Sequence, residues 1–157
     1  MDSLRLVGGG GVVRDDQGNW VIGFARKIGL VNSFLAKLWS LRDGLFLCVQ
    51  AQVQVLIVEM DAKALVDAFS NQTNSNVIIS SLMEDYRHLA TQIPQVRFRH
   101  VYKEANRCAD QLAKLGLSME IDFFVFSSPL VDIISIVKAD YHGLYVNRLR
   151  LEPVFSI

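Results

Sequence analysis

The chain has 157 residues, 51% of them hydrophobic and 20% charged, with a mean hydropathy of +0.26. That is apolar enough to bury a core and too apolar for a disordered chain. Sixteen basic and sixteen acidic residues cancel, which excludes a strongly basic nucleic-acid binder but leaves room for a local basic patch. Two cysteines, Cys48 and Cys108, cannot build a disulfide framework, so a reducing intracellular compartment, nuclear or cytoplasmic, is expected. The opening MDSLRLVGGGG lacks the apolar run of a signal peptide. The most apolar stretch, residues 123–137, is interrupted by Ser127, Ser128, Pro129 and Asp132. It falls short of the ~20 residues a membrane span needs.

In chain order, Gly8–Gly11 lead into Val12, Val13 and Arg14, and Asp15–Asn19 read as a turn. Trp20–Arg26 alternates between bulky and small residues, so the two segments form a β-hairpin. The four glycines lack both GxGxxG spacing and a following GK[ST], so they read as a flexible strand entry and not as a phosphate cradle. A helix is predicted from about Ser33 to Val49, with Phe34, Leu38, Leu41 and Leu45 on one stripe and Ser33 or Asn32 as N-cap. The β-branched run Val53–Met60 predicts a buried strand. Residues 62–69 begin a helix, residues 70–76 break it, and Val77–Gln92 resumes with Ile79, Leu82, Tyr86 and Leu89 on one side.

Pro94 stops that helix. Val96–Tyr102 alternates as a strand, with Val96, Phe98 and His100 on one face, and Arg107–Leu115 forms the last clear helix, closed by Gly116 as the C′ residue. The order hairpin, helix, strand, helix pair, strand, helix predicts one α/β domain over residues 1–157. Its core covers about 8–117, and 118–157 read as an irregular tail strapped over the body, with a turn at Asp140–Gly143.

Functional groups in such sheets gather at the carboxyl ends of strands. Asp61 sits there, directly after VLIVEM, and taken alone it reads as the N-cap of the next helix. Asp110 lies in the first turn of the last helix, where a carboxylate complements the dipole, and Asn106 reads as the cap. The two carboxylates gain meaning only if they converge, because a close pair repels unless a cation such as Mg²⁺ lies between them. His88 and His142 read as surface residues and His100 as a hydrogen-bonded structural one. No Cys/His spacing suits zinc, and no GxSxG elbow is present.

Four ordered blocks, GGGVVRDDQGNWVIGFARKIG, SFLAKLWSLRDGL, VLIVEMDAKALV and VRFRHVYKEANRCADQLAKLG, resemble the type 1 ribonuclease H-like domain. The tail block FFVFSSPLVDIISIVKADYHG extends the likeness to Gly143, and the version resembled is that of plant non-LTR retroelements. The resemblance implies a mixed five-stranded sheet flanked by helices, three antiparallel strands followed by two parallel ones. It implies cleavage of the RNA strand of an RNA–DNA hybrid, with four carboxylates clamping two divalent ions. Hybrid contacts are expected to run through backbone and 2′-hydroxyl groups.

Residue by residue, the resemblance makes Asp61 and Asp110 the catalytic and Mg²⁺-binding carboxylates. Lys37 falls where the family has its helix glutamate. The family's Asp-Gly-Ser opening strand, which lies inside the sheet next to the hairpin, is truncated or lost; only Asp2 remains as a candidate remnant, and Ser3–Val7 is the expected surrogate strand. A cleft lined by Lys37, Lys103, Asn106 and Arg107, with Lys63, Arg99 and Lys114 nearby, is expected to meet nucleic acid. Three functions follow: a hybrid ribonuclease with impaired catalysis, a non-catalytic nucleic-acid-binding module, or a decayed retroelement fragment or interaction domain. The default oligomeric state is a monomer.

Overall fold

The structure is a computed structural model, and it describes residues 4–61, 77–101, 107–129 and 154–156. The elements are β1 (Arg5–Arg14), β2 (Trp20–Val31), α1 (Ser33–Gln50), β3 (Val55–Met60), α2 (Val77–Thr91), β4 (Gln95–His100), α3 (Arg107–Ser118), β5 (Phe123–Phe126) and β6 (Val154–Ser156). They form a mixed α/β fold around one sheet of order β4-β3-β6-β1-β2-β5. The predicted helix over 62–69, the polar break after it and the turn at Asp140–Gly143 lie outside the described residues.

The hairpin turn is held by Asp15, whose Oδ1 accepts from the amides of Gln17 and Asn19, both at 2.9 Å. Gly18 occupies the left-handed region at φ 82°, a conformation that favours glycine. β1 and β2 then pair antiparallel from Arg14↔Trp20 to Arg5↔Val31. A bulge lies between Val7 and Gly8, where the partner jumps from Gly29 to Lys27 and Gly29 takes φ 110°. The second strand is therefore longer than the Trp20–Arg26 expected.

The glycine quartet is not a flexible entry. Gly8–Gly11 are buried inside β1; α3 lies directly on Gly8 and Gly10, and Ser40 of α1 lies against Gly9. A Cβ on Gly10 would fall 2.7 Å from the Ala113 nitrogen, and one on Gly8 would overlap the Ala113 carbonyl oxygen. The same logic corrects Gly116. The helix runs on to Ser118, so Gly116 is not a C′ residue but a contact point, where a Cβ would strike the Arg26 carbonyl of β2.

The other face of the sheet carries the main core. Asn32 caps α1, its side chain accepting from the Leu35 amide at 2.8 Å, and the apolar stripe Phe34, Leu38, Leu41, Leu45 is buried. It meets Val13, Phe24, Leu56, Val58 and Met60 from the sheet, and Ile79 and Leu82 from α2. On β4, Val96 and Phe98 pack against this core while His100 is exposed. β3 begins at Val55, two residues later than expected, and runs parallel to β4 from Val55↔Gln95 to Met60↔His100.

Among the described residues after Ser118, two segments are strands of the sheet, which corrects their reading as part of an irregular tail. β5 adds to the edge of β2, and Trp20 Nε1 donates to the Phe126 carbonyl at 3.0 Å. β6 lies in the interior, antiparallel to β1 and parallel to β3. It occupies the place expected for the opening strand. Ser3–Val7 is not the surrogate, because Arg5–Val7 continue β1 opposite Gly29–Val31. The sheet thus has the five expected positions plus β5.

Candidate nucleic-acid interface

One backbone position, Gly10, locates the site residues. Its amide donates to Ser40 Oγ at 3.1 Å from one face of the sheet, and Lys37 lies three residues before Ser40, one turn up α1. From the other face Leu112 contacts Gly10, with Asp110 two residues earlier in the first turn of α3. Along the sheet, Val12, Ser156 and Glu59 share one row. Two residues on, Asp61 follows β3 at the level of Gly10. Lys37 on α1 and Asp110 on α3 thus flank the region of Gly10 from opposite faces of the sheet, Asp61 follows β3 in the row level with Gly10, and all three residues are half-buried.

The electrostatics of that region are set by sign. The two carboxylates and the Lys37 ammonium leave a single negative charge to face any dications. A unit-charge pair at ~4 Å is worth about 4 kcal/mol at an effective dielectric of ~20, so a lysine in place of a ligand both removes attraction and adds repulsion. Among the described residues, no group of three or more His, Cys, Asp or Glu side chains is gathered for a metal. Among the described residues, Asp61 and Asp110 are two of the four carboxylates that the resemblance implies for a two-ion centre.

The remaining candidates divide. Arg107 and Lys114 are exposed on α3, consistent with a solvent-facing rim. Lys63, Lys103, Asn106, His142 and Asp2 lie outside the described residues. Arg99 belongs elsewhere: its Nη2 donates to Glu59 Oε1 at 2.9 Å, and Glu59 is fully buried. Sequence reading missed Glu59, although an ionisable residue inside the run VLIVEM was a visible signal of a buried partner. It also missed Ser40, whose role depends on a contact thirty positions away. His88 is exposed, as expected of a surface residue.

A second polar cluster ties β2 to α1. Arg26 Nη2 donates to Asp43 Oδ1 at 3.0 Å, and its guanidinium lies 5.0 Å from the Trp39 ring and 4.6 Å from the Phe123 ring. Burial pushes the Asp43 carboxyl above its ordinary range, and Arg26 and Arg42 offset part of that rise.

A hairpin, a strand between hairpin and parallel pair, and helices on both faces define the ribonuclease H fold. An RNase H1 from Halobacterium salinarum NRC-1 superposes with a TM-score of 0.64 at 18% identity, covering 73% of this chain and 88% of that one. LC11-RNase H1, solved in complex with an RNA/DNA hybrid, superposes with a TM-score of 0.53 at 19% identity, covering 74% and 96%. The N-terminal RNase H domain of a Mycobacterium tuberculosis protein gives 0.53 at 20% identity, covering 74% and 99%.

The match to the "Reverse transcriptase-like" family over residues 3–116 goes further: the chain belongs to that family, and it is a ribonuclease H-like domain. An Arabidopsis thaliana relative named as a ribonuclease H protein is 30% identical over 138 residues. That alignment covers 88% of this chain but only 22% of the relative's length. No helix among the described residues is long and apolar enough to cross a membrane.

Proposed function

We propose that this chain binds RNA–DNA hybrids as a ribonuclease H-like domain whose Mg²⁺-dependent cleavage is impaired. The observation that supports this reading is Lys37, which the resemblance sets at the family's helix glutamate and which lies on α1 one turn before Ser40, the residue bonded to the Gly10 amide. In an intact site, paired ions generate the attacking water and stabilise the leaving oxygen. Here the ammonium neutralises carboxylates in place of an ion. It holds phosphate by charge but cannot lower the pKa of a bound water as a metal does.

Binding falls to the backbone-reading cations Lys37, Lys103 and Arg107, with Asn106 as a neutral hydrogen-bonding neighbour. The neutral overall charge argues that affinity comes from this local patch and not from a global field. Recognition of the RNA strand through its 2′-hydroxyls follows the general rule for A-like helices. The complex of LC11-RNase H1 with an RNA/DNA hybrid supports this choice of ligand.

The test compares the unmodified chain, Lys37→Glu and Asp110→Asn on an RNA–DNA hybrid at matched Mg²⁺, with duplex DNA as control. The unmodified chain should bind hybrid with a logarithmic salt slope of about −0.9 per phosphate neutralised and should show no appreciable cleavage. Lys37→Glu should tighten divalent-ion binding, read directly by calorimetry. Efficient cleavage by the unmodified chain, abolished by Asp110→Asn, would overturn the reading of Lys37. Failure to retain hybrid at low salt would overturn the binding assignment.

A further inference from the structure

The two outermost strands of the sheet are finished differently. Among the described residues no strand lies beyond β4 on one side or β5 on the other. β4 carries exposed Arg97 and His100, the charged kind of edge that resists pairing with another chain. β5 is Phe-Phe-Val-Phe, with no charge, proline or glycine. Successive strand residues point to opposite faces; Phe124 is 45% exposed and Val125 39%, so neither face of β5 is fully covered. On the Phe124 face lies a groove of ≈ 350 Å³ lined by Leu115, Met119, Glu120, Ile121, Phe124 and Phe126.

The ladder with β2 fixes which main-chain groups of β5 face outward. The Lys27 amide donates to the Asp122 carbonyl at 2.8 Å, so Asp122 turns its polar groups inward, toward β2. The polar groups of successive strand residues point to alternate sides, and β5 holds one register with β2 from Phe123 to Phe126. Phe124 and Phe126 therefore direct theirs toward β2. Phe123 and Val125 present an N–H and a C=O each to the open side.

We propose that the open side of β5 pairs with β5 of a second copy of this chain, antiparallel about a two-fold axis at Phe124. In that register Phe123 faces Val125 of the second copy and Val125 faces its Phe123, so every outward amide and carbonyl of the strand finds a partner. Phe124 meets Phe124 on the groove face, at a non-hydrogen-bonded position where side chains come closest. The charges suit a second copy. Glu120 and Asp122 precede the strand, and neutral Ser127 and Ser128 follow it. Antiparallel copies set each acidic end beside the other's hydroxyl end, and the formal net charge of zero opposes no encounter between them. A four-residue ladder lies at the small end of interface sizes, so the dimer depends on concentration.

The experiment uses the full chain with single cysteines added and gentle oxidation. Phe124→Cys should give a disulfide dimer of twice the chain mass, because opposed Cα atoms at such a position lie about 4.5 Å apart, within disulfide reach. Val125→Cys should link poorly, since its own counterpart lies on the diagonal at about 7–8 Å. Val77→Cys, 82% exposed on α2, reports chance collision and should link several-fold more slowly than Phe124→Cys. The native thiols give little background, because Cys48 and Cys108 are buried and burial pushes the Cys48 thiol up to about 12. Equal linking by all three variants, or faster linking through Val125→Cys, would overturn the proposal.

Sedimentation of the unmodified chain covers variants that do not fold, and a dimer fraction that rises with concentration is expected. Phe124→Lys and Phe124→Glu should each abolish it by setting like charges face to face. An equal mixture of the two should restore a heterodimer, because the opposed residues then attract. A monomer at every concentration would refute the pairing and leave the edge to a strand of another protein. A dimer indifferent to both substitutions, or two folded variants that do not associate when mixed, would refute it as well.

Discussion

The two halves of the sheet are held together by different means. The hairpin half has a long antiparallel ladder, and α3 packs onto glycine backbone at Gly8, Gly10 and Gly116 with no side chain between. The β3–β4 half has a short parallel ladder and a buried ion pair, Glu59 with Arg99. One half depends on close approach, and the other holds, beside its apolar core, a charge pair that must stay complete. The contrast predicts where each half breaks.

The largest effect is expected in the β3–β4 half. Arg99→Ala removes the guanidinium that donates to the fully buried Glu59, and losing one partner of such a pair should cost about 3–5 kcal/mol in denaturant unfolding. Glu59→Gln combined with Arg99→Met should recover most of that loss, since a neutral pair carries no uncompensated charge. A double variant no better than Arg99→Ala would show that packing, and not charge, dominates this half.

The hairpin half should fail by overfilling. Gly10→Val places a side chain where Leu112 and the Ala113 nitrogen already lie, and a loss of about 1–3 kcal/mol is expected from the forced backbone shift. The half-buried Gly29, with no atom within 4 Å of an added Cβ, is a control that separates crowding from conformation. Its φ of 110° makes Gly29→Ala destabilising through the backbone alone.

At the seam between the halves the effect should be smaller. Ser40→Ala removes the acceptor of the buried Gly10 amide, which should cost about 1 to 2 kcal/mol. Hydrogen exchange of that amide should accelerate more than exchange in β2. An unchanged rate would show that another group protects it.

The smallest expected effect is a pH dependence. The Asp43 carboxyl titrates above its ordinary value of 3.8 in the folded chain, so the folded state binds this proton more readily than the unfolded one. Asp43 therefore makes stability fall as pH rises from 3.8 through its folded value, the reverse of an ordinary salt-bridged carboxylate. Asp43→Asn should flatten that slope in urea unfolding, while lowering stability throughout by loss of its bonds to Arg26 and Arg42.

Much of this architecture was legible in the residues. The stripe Phe34, Leu38, Leu41, Leu45 and the cap at Asn32 specify α1 locally. The β-branched run ending at Met60 specifies a buried strand, and the four motif blocks carry the ribonuclease H-like identity. Each of these signals resides within one turn of helix or a few strand residues, where spacing alone dictates which side chains share a face.

What the sequence left open depends on contacts between distant segments. A run of four glycines reads as slack backbone until α3, a hundred residues later, is seen to need the space that Cβ atoms on Gly8 and Gly10 would take. Glu59 is an anomaly in an apolar run until Arg99 reaches it across the parallel ladder. Val-Phe-Ser near the chain's end is too short to announce a strand. It becomes one only because β1 and β3 present unpaired main-chain groups on either side of a buried gap, and such groups stabilise whichever extended segment the chain can bring to them.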